Sequence, residues 1–266
     1  YYFNPNNSDK VRQDFQEFKN NFNAPLTVVE VAFEGQTFWI DDSIGISANE
    51  DNMLWQAERL INIGLESLRP NVNQVAWIHP NVVFEDLSWY KQAVVSLDNY
   101  SICQLYSHVN NEVGYLAKID ASRDGQNDLK YNPDISNIGR YDLAWAARRD
   151  VLSKGLYDFS VVGNNALHQI ITWQGAWNNQ FCNDFHHKIS LPLLTKDINT
   201  FFAVQNDLTY LKGINITTTS NVRPIYTDIL NRHLFDIQED IELGANGLWQ
   251  WASDKQDLHK EVKDIL

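Results

Sequence analysis

The segment at residues 75–86, VAWIHPNVVFED, constrains the fold of this chain more than any other stretch. Its first four residues form a short apolar run that ends at His79-Pro80-Asn81, and a second apolar run follows at once. A run of this kind, bounded by a proline turn, is typical of a strand buried on both faces inside a parallel sheet. Ligands bind at the carboxyl ends of such strands, so we expect a site near His79.

The rest of the chain predicts strands that alternate with helices. Ser8 is a typical N-cap residue, and the helix after it would bury Phe15, Phe18 and Phe22, which recur at helical spacing. A strand is expected at residues 26–33, with residues 37–40 as its short partner strand, and another at residues 101–107. Further helices are expected at residues 50–68 and 89–99. This alternation indicates an α/β fold, and 266 residues are enough for one such domain or for two small ones.

The formal net charge of −13 and the absence of a basic patch argue against a nucleic-acid partner. No window of about 18 apolar residues predicts a membrane span. No signal-peptide pattern is present, and we expect a cytoplasmic protein. Cys103 and Cys182 are too few for a disulfide scaffold, so reduced, buried thiols are expected. The chain begins at Tyr1 without a methionine, and we expect residues upstream of it, in a number that the sequence leaves open.

Several residues that could carry chemistry also have an ordinary structural interpretation. His79 at a strand end is more often a hydrogen-bonded turn residue than a catalyst. Glu85 and Asp86 could act as an acidic pair, but they are better explained as first-turn residues of the following helix, where the macrodipole favours carboxylates. Trp249 and Trp251 could stack on a sugar or a base, or they could pack the C-terminal segment onto the sheet.

Three scaffold segments resemble a family of nucleotide-sugar-dependent glycosyltransferases with the GT-A fold. These are MLWQAERLINIGLESL at residues 53–68, AWAARRDVL at residues 144–152 and FDIQEDIELGANGLWQW at residues 235–251. The resemblance covers nearly the whole chain. It implies a single domain over residues 1–266, with a Rossmann-like, mainly parallel central sheet flanked by helices.

The chain departs from that family at the elements that carry its chemistry. Where the family has an Asp-x-Asp metal motif, this chain has His79-Pro80-Asn81. Ala166 replaces the acid of a Gly-Gly-Gly-Asp turn, and Thr217 and Ser220 replace the histidines of a His-x-x-His-Gly element. A divalent cation on a diphosphate needs hard oxygen ligands and acts there as a Lewis acid. We therefore expect neither a metal site nor another cofactor.

The resemblance also implies where a donor nucleotide would bind. The candidates are expected to meet in one cleft at the carboxyl ends of the strands. They are Tyr2, Phe3, Asn4, His79, Asn81, Asn165, Ala166 and Thr217.

Three functional hypotheses follow. The first is a catalytically inactive, glycosyltransferase-like protein kept as a binding or structural component, which would recognise a nucleotide, a nucleotide sugar or a protein partner. The second is an active, metal-independent glycosyltransferase in which Arg223, Lys212 or His79 stabilises the leaving diphosphate. The third places the site elsewhere, because the late segments are matched wrongly to the family.

Overall fold

A computed structural model describes residues 1–54, 56–106, 108–111, 116–118, 143–152, 155–156, 208–218 and 241–252. The helices are α1 (Asp9–Asn21), a 3₁₀ turn (Glu50–Asn52), α2 (Ala57–Ser67) and α3 (Trp89–Leu97). The strands are β1 (Tyr2–Phe3), β2 (Val29–Phe33), β3 (Ile44–Ala48), β4 (Gln74–Ile78), β5 (Val82–Phe84), β6 (Ile102–Gln104), β7 (His108–Asn111), β8 (Leu116–Lys118), β9 (Ala144–Arg148), β10 (Leu208–Tyr210), β11 (Asn215–Thr218), β12 (Ile241–Leu243) and β13 (Trp249–Trp251).

The described strands form four small sheets. The first is parallel and has three strands in the order β1-β2-β3. The second has the order β10-β6-β9-β4, and β9 runs antiparallel to both of its neighbours. The third has the order β5-β11-β7-β8, and β12 pairs with β13. The chain is therefore mixed α/β, and its purely parallel sheet is limited to three strands.

The position of β4 differs from the sequence prediction. We expected residues 75–78 as an inner strand of a mainly parallel sheet, but β4 pairs antiparallel with β9 and lies at the edge of its sheet in the described part of the chain. Its apolar residues have different surroundings. Trp77 is buried in a cluster with Leu65 of α2, whereas Ala76 is exposed. An apolar run therefore did not establish burial on both faces.

The partner of β2 was also predicted wrongly, because a buried carboxylate controls the segment that follows β2. Glu30 is 1% exposed, and its side chain accepts hydrogen bonds from the backbone nitrogens of Trp39 at 2.9 Å and Ile40 at 3.2 Å. The hydroxyl of Ser43 donates a third bond at 2.7 Å. These contacts hold residues 37–40 outside the sheet, and β3 begins only at Ile44.

The first helix begins directly after Ser8, as predicted, but the Ser8 side chain makes no capping hydrogen bond. Phe15 and Phe18 of the predicted apolar face are buried, whereas Phe22 follows the helix and is half-buried. The side chain of Asn4 bonds to the backbone of Ser8, since its Oδ1 accepts from the Ser8 nitrogen at 2.8 Å and its Nδ2 donates to the Ser8 carbonyl at 2.9 Å. The turn after β1 and the start of α1 are thereby joined.

The second helix begins at Ala57, later than predicted, because the residues before it contact the C-terminal hairpin. The Gln56 side chain accepts from the Trp249 nitrogen at 2.8 Å and donates to the Trp249 carbonyl at 3.1 Å. Asn52 donates to the same carbonyl at 3.1 Å. Trp249 and Trp251 are 8% and 4% exposed, which favours the packing interpretation of this pair.

Two helices pack on opposite sides of the segment that contains β2. Phe15 and Phe18 of α1 share a buried cluster with Val28, just before β2, and Leu60 of α2 shares another with Val29 of β2. This placement agrees with the alternation of side chains along a strand. Among the described residues, none of the helices has the length and apolar character that crossing a membrane requires.

Candidate functional site

The segment after β4 forms a tight turn around Pro80. The backbone nitrogen of His79 donates to the Leu143 carbonyl at 2.7 Å, which extends the pairing with β9 by one residue. The nitrogen of Val82 then donates to the His79 carbonyl at 3.0 Å and closes the turn. The turn places His79 and Asn81 side by side at the strand end.

The side chains of His79 and Asn81 are bonded to each other. The imidazole Nδ1 lies 2.5 Å from the Oδ1 of Asn81, and Asn81 is 3% exposed. An amide oxygen only accepts, so Nδ1 carries the proton in this contact. In a neutral ring, Nε2 is then the accepting nitrogen. This hydrogen bond holds the imidazole in one orientation.

An aromatic contact joins this turn to the start of the chain. The ring of Tyr1 meets the His79 ring edge to face, with centroids 6.0 Å apart and an interplanar angle of 85°. Edge-to-face packing at this separation is favourable for aromatic rings. The contact brings the three-stranded parallel sheet beside the end of β4.

A second polar group lies beyond β5, and sequence reasoning missed it. Glu85 accepts from the Asn215 amide at 3.2 Å and from the Thr217 hydroxyl at 3.4 Å. The sequence predicts Glu85 in the first turn of a helix, but α3 begins at Trp89, with Ser88 at its N-cap. The cluster exists because β5 pairs with β11, which lies about 130 positions later in the chain, and no local pattern could have signalled it.

Three of the predicted donor-binding residues belong to the core. Tyr2, Phe3 and Asn4 are 4%, 7% and 2% exposed. The Tyr2 ring packs against Phe15 and Trp39, and its hydroxyl accepts from Asn4 at 2.9 Å. Tyr2 and Asn4 thereby stabilise the first turn, and the Phe3 ring packs against Phe33.

Lys212 and His79 lie beyond the same ends of the strands of the mixed sheet. Because β4 and β6 both run antiparallel to β9, and β10 runs parallel to β6, the carboxyl ends of β4, β6 and β10 all lie at one end of the sheet. Three strand spacings separate β10 from β4, roughly 14 Å. Lys212 is exposed just after β10, which makes it a candidate cation at the rim of the site.

The remaining predicted positions, Asn165, Ala166 and Arg223, lie outside the described residues, as does Ser220. Their convergence with His79 stays a prediction. Within the described part of the chain, no group of three or more His, Cys, Asp or Glu side chains is placed to hold a metal ion.

Two side chains of this region have shifted pKa values. Hydrogen bonds from the backbone and side chain of Ser88 lower the pKa of the Asp86 carboxyl, so Asp86 helps to fix the start of α3. Burial raises the pKa of the Cys103 thiol to about 12, so this cysteine is neutral at physiological pH. Thiols of this kind react slowly, because the thiolate is the nucleophile. The prediction of a buried thiol is confirmed for Cys103, and Cys182 lies outside the described residues.

A comparison of the chain with protein-family models, with curated proteins and with solved structures found no match in any of the three.

Proposed function

We propose that this chain is a glycosyltransferase-like binding protein that recognises a nucleotide or nucleotide sugar and has no metal-dependent transfer activity. In this proposal it acts as a binding or structural component. Its ligand would bind at the end of β4, beside His79.

The observation that carries the proposal is the contact between His79 and Asn81. The resemblance places two metal-binding carboxylates at these positions. The amide oxygen of Asn81 accepts from the imidazole instead, and neither side chain supplies negative charge. A divalent cation on a diphosphate would require that charge, usually from one or two carboxylates.

The surrounding residues offer contacts of another kind. The rings of Tyr1 and His79 meet at the strand end. At the other end of β5 from Asn81, Glu85, with the Asn215 amide and the Thr217 hydroxyl beside it, offers polar groups of the kind that bind the hydroxyls of a sugar. An apolar or aromatic surface with a few convergent polar groups is typical of small-molecule sites.

Thermal shift with a panel of nucleotides and nucleotide sugars tests the proposal. At about a hundredfold excess over its Kd, a ligand specific for the folded state adds about 2.7 kcal/mol to the free energy of unfolding. We expect a shift that is the same in manganese and in excess chelator, that is lost in His79→Ala and that persists in the control Asn20→Ala, on the exposed face of α1. Sugar transfer that requires manganese would refute the proposal.

Metal-independent transfer is the competing outcome, and the position of Lys212 at the same end of the sheet is the observation that favours it. It predicts that, in excess chelator, the sugar of some nucleotide sugar passes to water or to an acceptor hydroxyl and a nucleoside diphosphate is released. That turnover would fall in Lys212→Ala and remain in Lys91→Ala, which removes an exposed lysine from α3. Binding without turnover in the same assay would support the binding protein instead.

A further inference from the structure

A cleft of about 720 Å³ lies between β4 and the segment that leads into β2. Residues 26–28 and Val29, the first residue of β2, line one side, and residues 74–78 line the other. In the described part of the chain, β4 has β9 as its single partner strand, and β2 pairs with β1 over only two residues. The second edge of β4 therefore faces the extended segment at the start of β2 across this cleft.

The edge of β4 presents backbone hydrogen-bonding groups to the cleft. The nitrogen of His79 donates to Leu143, and the nitrogen of Arg149 donates to the Asn73 carbonyl, so residues 73 and 79 point towards β9. Bonding direction alternates along an antiparallel ladder. Val75 and Trp77 thus also point towards β9, whereas Ala76 and Ile78 direct their N–H and C=O groups into the cleft.

The segment that leads into β2 lies on the other side. The nitrogen of Ile44 donates to the Val28 carbonyl at 2.8 Å, so Val28 faces β3. Its neighbours Thr27 and Val29 consequently point to the side on which β1 pairs with β2. The register of β1 pairs Tyr2 with Glu30, and the same parallel register continued backwards runs along residues 26–28.

The two open faces of the cleft are covered by helices. Phe15 and Phe18 of α1 line one face, and Leu60, Gly64 and Leu65 of α2 line the other. The space therefore has β4 on one side, residues 26–29 on the other, and one helix on each open face. Side chains that alternate along an extended segment would all meet apolar surroundings there.

We propose that this cleft is a strand position, filled by the segment of the chain immediately upstream of Tyr1, which runs parallel to β2 and hydrogen-bonds to both β2 and β4. β4 has five residues, and a strand of about five residues, rising about 3.3 Å each, matches its length. The filled position would join the three-stranded and the mixed sheets in the order β3-β2-β1-β4-β9-β6-β10. β4 would then become an inner strand.

Three versions of the protein test the proposal. The first extends Tyr1 by the five strand-forming residues Val-Ile-Val-Thr-Val, the second by a Gly-Ser segment of the same length, and the third by Val-Pro-Val-Pro-Val. Proline has no N–H to donate and is rejected by inner strands, so the third version keeps the apolar character but cannot complete the ladder. The measurements are the melting temperature and amide hydrogen exchange at residues 75–78.

We expect the strand-forming extension to raise the melting temperature above that of the other two versions. It should also slow exchange at Ala76 and Ile78 at least roughly tenfold, while Val75 and Trp77, which face β9, change little. Equal stabilisation by the proline version, or unchanged exchange at Ala76 and Ile78, would overturn the proposal. The proposal also fails if, in the unextended protein, amide exchange at Ala76 and Ile78 slows when the protein dimerises. A second copy of the chain would then fill the cleft.

Discussion

In a version of the protein that begins at Tyr1, burial of the α-amino group makes one titration visible in the free energy of unfolding. The folded state binds the proton with a pKa of about 6, and the unfolded chain with the ordinary value of 8.0. Between those values the unfolded state binds more protons, so the free energy of unfolding rises with pH through this window.

We predict a penalty of about 2 to 3 kcal/mol that is complete below pH 6 and absent above pH 8. Acetylation of the amine should abolish this pH dependence. Urea unfolding across the window checks it, with a Gly-Ser extension as the control, since an exposed amine has the same pKa in both states. Parallel pH curves for the free and acetylated proteins would contradict the prediction.

At the scale of one element, Asn4 and Ser8 provide a matched pair of substitutions just before α1. Asn4 bonds to the Tyr2 hydroxyl and to both backbone groups of Ser8, whereas the Ser8 side chain caps nothing. We expect Asn4→Ala to lower the free energy of unfolding by about 2 to 3 kcal/mol, because buried groups lose their partners.

Ser8→Ala, at a partly exposed position, should cost less than about 0.5 kcal/mol. Denaturant titration of both variants gives the comparison. If Ser8→Ala proves the more damaging change, the cap is the serine that sequence reasoning selected.

The same element scale shows how far the sequence alone could lead. The apolar face of α1 and the helix at residues 89–99 were predicted correctly, because both depend on local periodicity. The late start of α2 and the true partner of β2 were not predicted correctly. Gln56 bonds to the backbone of Trp249, which is distant in sequence, and Glu30 bonds to the backbone nitrogen of Trp39, which lies outside the strands. The turn at His79 was found from its proline, and the Glu85 cluster was not found.

At the scale of the whole molecule, the charge of −13 predicts a response to salt. Self-repulsion in a strongly acidic chain opposes the compact state. Raising NaCl from about 0.01 M to about 0.1 M shortens the Debye length from about 30 Å to about 10 Å. We expect the melting temperature to rise, by about 2 to 4 °C for each kcal/mol gained.

Screening will also weaken attractive pairs, such as Lys10–Asp14 and Arg148–Asp150, but these pairs are partly or largely exposed and contribute little. A differential scanning measurement in NaCl and in KCl separates screening from binding of one particular ion. A melting temperature that falls with both salts would show that attraction dominates the charge distribution.

The hydrogen bonds between Gln56 and Trp249 can form only after the ribosome has synthesised both residues. The two residues are 193 positions apart, and the buried amides of Gln56 and Asn52 have their partners in the last strand of the described chain. A ribosome adds about 5 to 20 residues per second, so roughly 10 to 40 s pass between synthesis of Gln56 and of Trp249. During that interval the amides of Asn52 and Gln56 lack their partners in the hairpin. We expect the nascent chain to bind a chaperone in that state.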